Sequence, residues 1–433
     1  MSLVRADLES EMLDLIGEWA DATANDRPSK VRYSGPMFGR AEYQALLQAV
    51  FDGWWSAGKH TIRAERKLAT ISERSHGLLA NSGSSANLLL MSAAKHVYGW
   101  PDGSRVLTLA CGFPTTVNPI IQNRMVPVFA DINLDGLDLT PAVAAEALDS
   151  CPDVRAIFVA HTLGFPCDVD GLADLARARG VQLFFDCCDA YGSTWANRPV
   201  QAFGKAATFS FYVAHHATMG EGGGIVTNDP ELHIAMRSIR NWGRYCAASE
   251  CCIRAERPDL FCPPARLTKN STLPEDYAVN YQYEFLGYNL KPLDLQAAML
   301  SVQLDRLAQF GEARVGNYEK LLSRIDSPHL RTWPLPAEVS PFAFPLLIAE
   351  SAPFKRKHIV DHLTRDGIET RLLFGGNLAR HPAYRKQRVI EAMPLPNSDA
   401  IMHRFFMVGC APVVSEADID RMVSSIERFL AQW

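Results

Sequence analysis

Seven short apolar runs between His76 and Asp229 restrict the possible folds more than any other feature: HGLLANS, RVLTLA, VPVFADI, AIFVAH, QLFFDCC, ATFSFY and GGIVTND. Most are continuously apolar rather than alternating, as strands buried on both faces must be. Helix-patterned segments separate several of them, SANLLLMSAAKHVYG and VDGLADLARARG among them. Strand alternating with helix predicts an α/β fold with a mostly parallel sheet covered by helices. Ligands of such sheets bind beyond the carboxyl ends of the strands.

At 433 residues the chain is long enough for more than one domain. A helical pattern from Leu293 to Ile325 predicts a long spanning helix that leads into a second domain. That domain mixes strand patterns (FAFPLLI, ETRLLF) with helical ones (PFKRKHIVDHLTRDG, SEADIDRMVSSIERFLAQW). The expected organisation is an N-terminal arm over 1–40, a large domain over 41–300 and a smaller α+β domain over 301–433. A cysteine-rich loop falls at about 243–275, and the proline-rich, polar stretch from Glu256 is expected to lie over the site. A net charge of -5 gives no reason to expect nucleic acid or an anionic membrane as partner. No apolar run of about eighteen residues occurs, and the N-terminus lacks a signal-peptide pattern, so the expected location is the cytoplasm. Cys111, Cys151, Cys167 and Cys410 read as small core residues.

Four features could build a pocket at the strand ends. The stretch Asn81-Ser82-Gly83-Ser84-Ser85-Ala86-Asn87 follows a strand and opens a helix, where exposed N–H groups suit a phosphate, although such turns are common. Asp186 ends QLFFD; its partner is either the protonated nitrogen of a pyridine or a helix N-terminus or ion pair. Ser210 ends ATFS, and its hydroxyl would suit the same phosphate. Phe113 follows RVLTLA, placed either to stack on a planar ring or to fill the core.

Taken in order, these features resemble the sugar-nucleotide aminotransferases of the aspartate-aminotransferase superfamily, fold type I. The resemblance spans nearly the whole chain and includes HTLGFPCDVDGL and the Gly287–Met299 stretch GYNLKPLDLQAAM. It implies a large domain with a mostly parallel seven-stranded sheet. It also implies a homodimer in which Asn289 reaches the phosphate in the neighbouring subunit. That family carries a lysine five residues after the serine, where this chain has His215. Lys205, at the other end of ATFSFY, is expected to point away. Without that amine the cofactor cannot be tied covalently, and pyridoxamine 5′-phosphate (PMP) rather than pyridoxal phosphate (PLP) is the form implied.

The closer resemblance is to 3-dehydrases of the CDP-4-keto-6-deoxy-D-glucose-3-dehydrase type, in NSGSSANLLL, GFPTTVNP, DCCDAYG, SFYVAHHATMGEGG, NWGRYC, TRLLFGGN and PLPNSD. It implies PMP-dependent removal of the 3-hydroxyl from a nucleotide-linked 4-keto-6-deoxyhexose. His215 would be the base, its imidazole neutral at physiological pH; the bland alternative is a decayed aminotransferase site. His216 reads as an oriented neighbour within the substrate-binding set. Arg371 in TRLLFGGN, and Arg380 in LARHPAY, are candidate substrate clamps.

These dehydrases carry a [2Fe–2S] cluster that needs four thiolates and is fed by a flavin/iron–sulfur reductase. Cys188 and Cys246 match the first two positions of the pattern. Beyond Cys246 the spacing changes: Cys251 and Cys252 stand together and Cys262 follows, which fits an insertion and leaves one thiol spare. The expected set is Cys188, Cys246, Cys251 and Cys262, with Cys252 as the substitute for Cys251 and a different cluster or zinc as the alternative. Two other functions stay open: a cluster-free dehydratase that regains its amine from glutamate, and a non-catalytic protein that binds a sugar nucleotide.

Overall fold

The computed structural model describes residues 2–23, 29–245, 272–274, 277 and 281–433. The seven apolar runs all become strands of one sheet: β1 (His76–Ala80), β2 (Arg105–Leu109), β3 (Val126–Ala130), β4 (Val154–Ala160), β5 (Gln182–Asp186), β8 (Ala206–Ser210) and β9 (Gly223–Thr227). Between β5 and β8 a small ribbon forms from β6 (Thr194–Trp195) and β7 (Arg198–Pro199).

The sheet order is β1-β9-β8-β5-β4-β2-β3-β12, where β12 is Ile390–Glu391. This eighth, two-residue strand is supplied by the C-terminal part of the chain and pairs parallel to β3 at Val128 and Phe129. Within the sheet β9 alone runs against its neighbours, antiparallel to both β1 and β8. The carboxyl ends of β1, β2, β4, β5 and β8 therefore open on one edge. Phe184, Phe185 and Phe209 are fully buried on the two sides of the sheet. Burying each such ring stabilises the fold by about 1.5–3 kcal/mol.

A second sheet, β10 (Leu330–Arg331), β11 (Phe344–Ile348) and β13 (Phe405–Val408), is antiparallel. The helices Arg356–Arg365 and Glu416–Leu430 arise from the two patterns read as helical. Two expectations change. The long spanning helix is broken at Arg306 into Asp294–Asp305 and Leu307–Arg324. ETRLLF is not a strand: Arg371 makes one isolated bridge to Met407, and the chain then turns through Phe374 and Gly376, both in the left-handed region. That turn carries Arg371, Leu372 and Phe374 to the open edge of the large sheet, where all three line a cavity.

Candidate active site

A cavity of about 550 Å³ opens at the strand ends. Its wall includes Ser82, Gly83, Ser84, Phe113, Asp186, Cys188, Ser210, His215 and Arg371. The strand order explains most of the gathering, because every group but Arg371 lies at or just past a carboxyl end.

Ser82 caps the helix Gly83–Val97, its Oγ accepting from the Ser85 N–H at 3.0 Å. The helix start presses against β8 and β9. A Cβ on Gly83 would lie 2.6 Å from Ser210 Cβ, and one on Gly223 would strike the Ser82 carbonyl. Only glycine permits this approach, which brings Ser82, Gly83, Ser84 and the Ser210 hydroxyl to one place. Ser84 Oγ donates to Thr115 Oγ1 at 3.1 Å, joining the helix start to the turn after β2. Ser85 is off the cavity wall; its hydroxyl and N–H are used within the cap, and Ser82 takes the expected place.

Asp186 is 5% exposed. Its Oδ2 accepts from Asn87 Nδ2 and Thr116 Oγ1, each at 2.8 Å, and its Oδ1 from the Cys188 N–H at 3.1 Å. These are neutral donors, so the ion-pair reading does not hold, nor does the residue cap a helix. A carboxylate held this way, on a cavity wall, suits a cationic ring nitrogen. Phe113 is half exposed and meets Phe374 edge-to-face at 5.7 Å, so the core alternative falls.

His215 is on the wall, and Lys205 is at the far end of β8, paired with Asp229 at 3.1 Å. Among the described residues no lysine lines the cavity. Burial and the Arg314 guanidinium push the His215 imidazole down to about 4, with a Cys188 backbone hydrogen bond working the other way. Its Nδ1 has no hydrogen-bond partner and lies 3.9 Å from Asp189 Oδ1. Burial and the charge of Asp186 push Asp189 up to about 8. Burial therefore favours the neutral form of both groups.

Arg371 lies over the Tyr33 ring at 4.2 Å and borders the cavity, with Glu369 Oε2 at 3.5 Å. Two candidate substrate contacts do not reach it. His216 is buried and its Nε2 meets the Ser340 carbonyl at 3.0 Å, behind the wall. Arg380 is held by Asp399 at 3.1 Å and Glu391 at 3.2 Å, and its charge is spent there. Asn289 is exposed, off this wall, and accepts from Lys291 Nζ at 2.6 Å. Cys188 lines the cavity, its thiol pushed well up by burial and by Asp186. Cys246, Cys251, Cys252 and Cys262 lie outside the described residues. Among the described residues no group of three or more metal-ligating side chains occurs. Nor is any helix there long and apolar enough to cross a membrane.

Sequence reasoning missed Tyr33, Asp189, Tyr212, Glu221, Phe342 and Arg314, and gave Asn87, inside the 81–87 stretch, no role of its own. Asp189 had a signal, since it stands in the quoted DCCDAYG; Arg314 had none.

Comparison with known proteins adds to this geometry. The model of the DegT/DnrJ/EryC1/StrS aminotransferase family matches residues 37–427. The lipopolysaccharide biosynthesis protein RfbH of Salmonella typhimurium is 35% identical over 98% of both chains. A dTDP-4-dehydro-2,6-dideoxy-D-glucose 3-dehydratase of Saccharopolyspora spinosa is 38% identical over 93% of this chain and 87% of its own. The structure of the Escherichia coli GDP-4-keto-6-deoxy-D-mannose-3-dehydratase with bound hydrated PLP superposes with a TM-score of 0.81. It covers 91% of this chain and 98% of its own at 24% identity, which shows a shared fold.

Proposed function

The chain belongs to the DegT/DnrJ/EryC1/StrS aminotransferase family, and from that premise we propose that it is a PMP-dependent 3-dehydrase of a nucleotide-linked 4-keto-6-deoxyhexose. The observation that carries the reading is His215, on the cavity wall where the family's lysine would stand. Relatives named for their substrates carry dTDP or GDP sugars, so the nucleotide is left open and the CDP form is not preferred.

The cavity fits a phosphorylated pyridine on two observations: the glycine-tight helix start against Ser210, and a buried Asp186 with neutral partners. Ser82, Gly83, Ser84 and Ser210 would hold the phosphate, Asp186 the ring nitrogen and Phe113 a ring face. When bound, PMP supplies an amine for the sugar ketone and an electron sink. His215, whose imidazole burial holds in the neutral form, is the wall group that would take up a proton from the cavity; its Nδ1 is buried behind, 3.9 Å from Asp189 Oδ1. Burial and the charge of Asp186 favour the protonated form of Asp189 beside it. Arg371 meets anionic groups of the sugar nucleotide at the cavity mouth.

Two further parts rest on the family resemblance. A [2Fe–2S] cluster on Cys188, Cys246, Cys251 (or Cys252) and Cys262 would take electrons from a flavin/iron–sulfur reductase. Cys188 on the cofactor's own cavity supports it. A homodimer would bring the partner copy's residue equivalent to Asn289 to the phosphate.

The test is an ultraviolet–visible titration of anaerobically purified protein with PMP, followed by borohydride reduction and mass spectrometry. The proposal requires PMP binding without covalent attachment. Cofactor recovered on any side chain overturns it. Turnover with glutamate and without a reductase would remove the cluster from the mechanism.

A further inference from the structure

The helix Leu307–Arg324 sends one side chain through the protein toward the back of the candidate base. Arg314 is 1% exposed. Its Nη1 donates to the Phe342 carbonyl at 2.9 Å and the Pro341 carbonyl at 3.3 Å, and its Nη2 donates to the His215 carbonyl at 3.3 Å. One planar fork therefore joins the backbone of the His215 turn to the 341–342 segment.

That segment is itself anchored. The Phe342 N–H donates to the Leu163 carbonyl at 3.0 Å, and the Ser340 N–H donates to Ser193 Oγ at 2.9 Å. The Ser340 carbonyl meets His216 Nε2. The Phe342 ring lies 5.2 Å from the His215 ring, tilted by 43°, and forms part of the cavity wall. The guanidinium thus fixes both the backbone beneath the imidazole and the ring beside it.

Burying a guanidinium against carbonyls is costly, and a methionine of similar length would fill the space without that cost. Burial accordingly pulls the Arg314 pKa down. Arginine's five donors in a rigid fork do what methionine cannot: they hold separate carbonyls at set positions.

We propose that Arg314 is a positioning residue that aims the His215 imidazole into the cavity by tying its backbone to the 341–342 segment. The inference rests on His215 as the base. It assigns Arg314 no contact with substrate or cofactor.

The test compares Arg314→Met and Arg314→Lys with the natural protein in steady-state dehydration, in PMP binding by absorbance, and in the imidazole NMR resonance of His215 in apoprotein. That resonance is assigned by its loss in His215→Asn. Misaiming a reacting group by about 1 Å costs up to ~100-fold in rate. The expected result is kcat lowered ~10- to 100-fold in Arg314→Met, with KM and PMP affinity within about threefold. The His215 resonance should move, and Arg314→Lys should recover part of the rate. If Arg314→Met does not fold, Arg314→Lys decides. A lowered kcat at unchanged KM and a moved resonance support the proposal; parity with the natural protein overturns it. An unmoved resonance, or a loss confined to KM or PMP affinity, also overturns it. Failure of the base assignment reads differently: His215→Asn would then keep its turnover, while the resonance in Arg314→Met still reports the positioning.

Discussion

Replacing Gly83 by alanine tests the phosphate cradle directly. The new methyl would lie 2.6 Å from Ser210 Cβ and 3.1 Å from both Ser210 Cα and Oγ. Carbon atoms rest at about 3.5–4.0 Å, so the helix start and the end of β8 must part by about 1 Å. Neither side is a flexible tip, since Ser210 ends a strand paired on both sides. Overpacking of this kind costs about 1–3 kcal/mol. If a phosphate must touch both walls at once, much of that cost appears as lost cofactor affinity, about 5- to 150-fold at 1.4 kcal/mol per decade. The assay is an absorbance titration with PMP beside thermal unfolding of the apoprotein. Gly316→Ala is the control: it lies in the helix Leu307–Arg324 with nothing within 4 Å of the added carbon. The reasoning is refuted if Gly83→Ala binds PMP within about twofold of the natural protein and melts at the same temperature.

His215→Asn should abolish dehydration while PMP still binds, measured by product formation and by the same titration. The pH dependence of stability follows from the buried imidazoles. His161 is pushed to about 3 by burial, His215 to about 4, and His216 well below its ordinary value. All are depressed, so the stability they contribute is present above pH ~6.5 and is lost as pH falls toward 4. Asp189, raised to about 8, works the opposite way, contributing stability that grows as pH falls from 8. With three imidazoles set against one carboxyl, stability is expected to fall between pH 7 and 5, read as a fall in urea midpoint; a midpoint that rises toward pH 5 would contradict this. Cys188→Ser should lower iron and sulfide in anaerobically purified protein if the proposed cluster is present, by colorimetric assay, and unchanged content would remove Cys188 from the ligand set.

How much of this was legible in the sequence depended on how local its cause is. Strands buried on both faces must be apolar throughout, and so all seven runs of the large sheet could be read. Asp186, Ser210 and Phe113 could be placed because each follows a strand end. The order of the strands, and the β12 edge, depend on contacts far apart in sequence and left no local mark. ETRLLF has the composition of a strand, yet the left-handed Phe374 and Gly376 turn it into a wall of the site. Arg380 looked available because its partners, Asp399 and Glu391, lie well down the chain. His216 and His215 are adjacent, but one faces the cavity and the other the Ser340 carbonyl. Arg314 sits in GEARVGN, which reads as an ordinary charged helix face.

The two residues of β12 protect more than their length suggests. All five residues of β3 are buried, and β12 shields that margin by pairing at Val128 and Phe129. A chain that stops short of Ile390 would leave this strand with unsatisfied amides along a greasy rim, ready to stick to the next molecule. Two residues from the far end of the chain thus stand guard over a strand laid down more than 250 positions earlier.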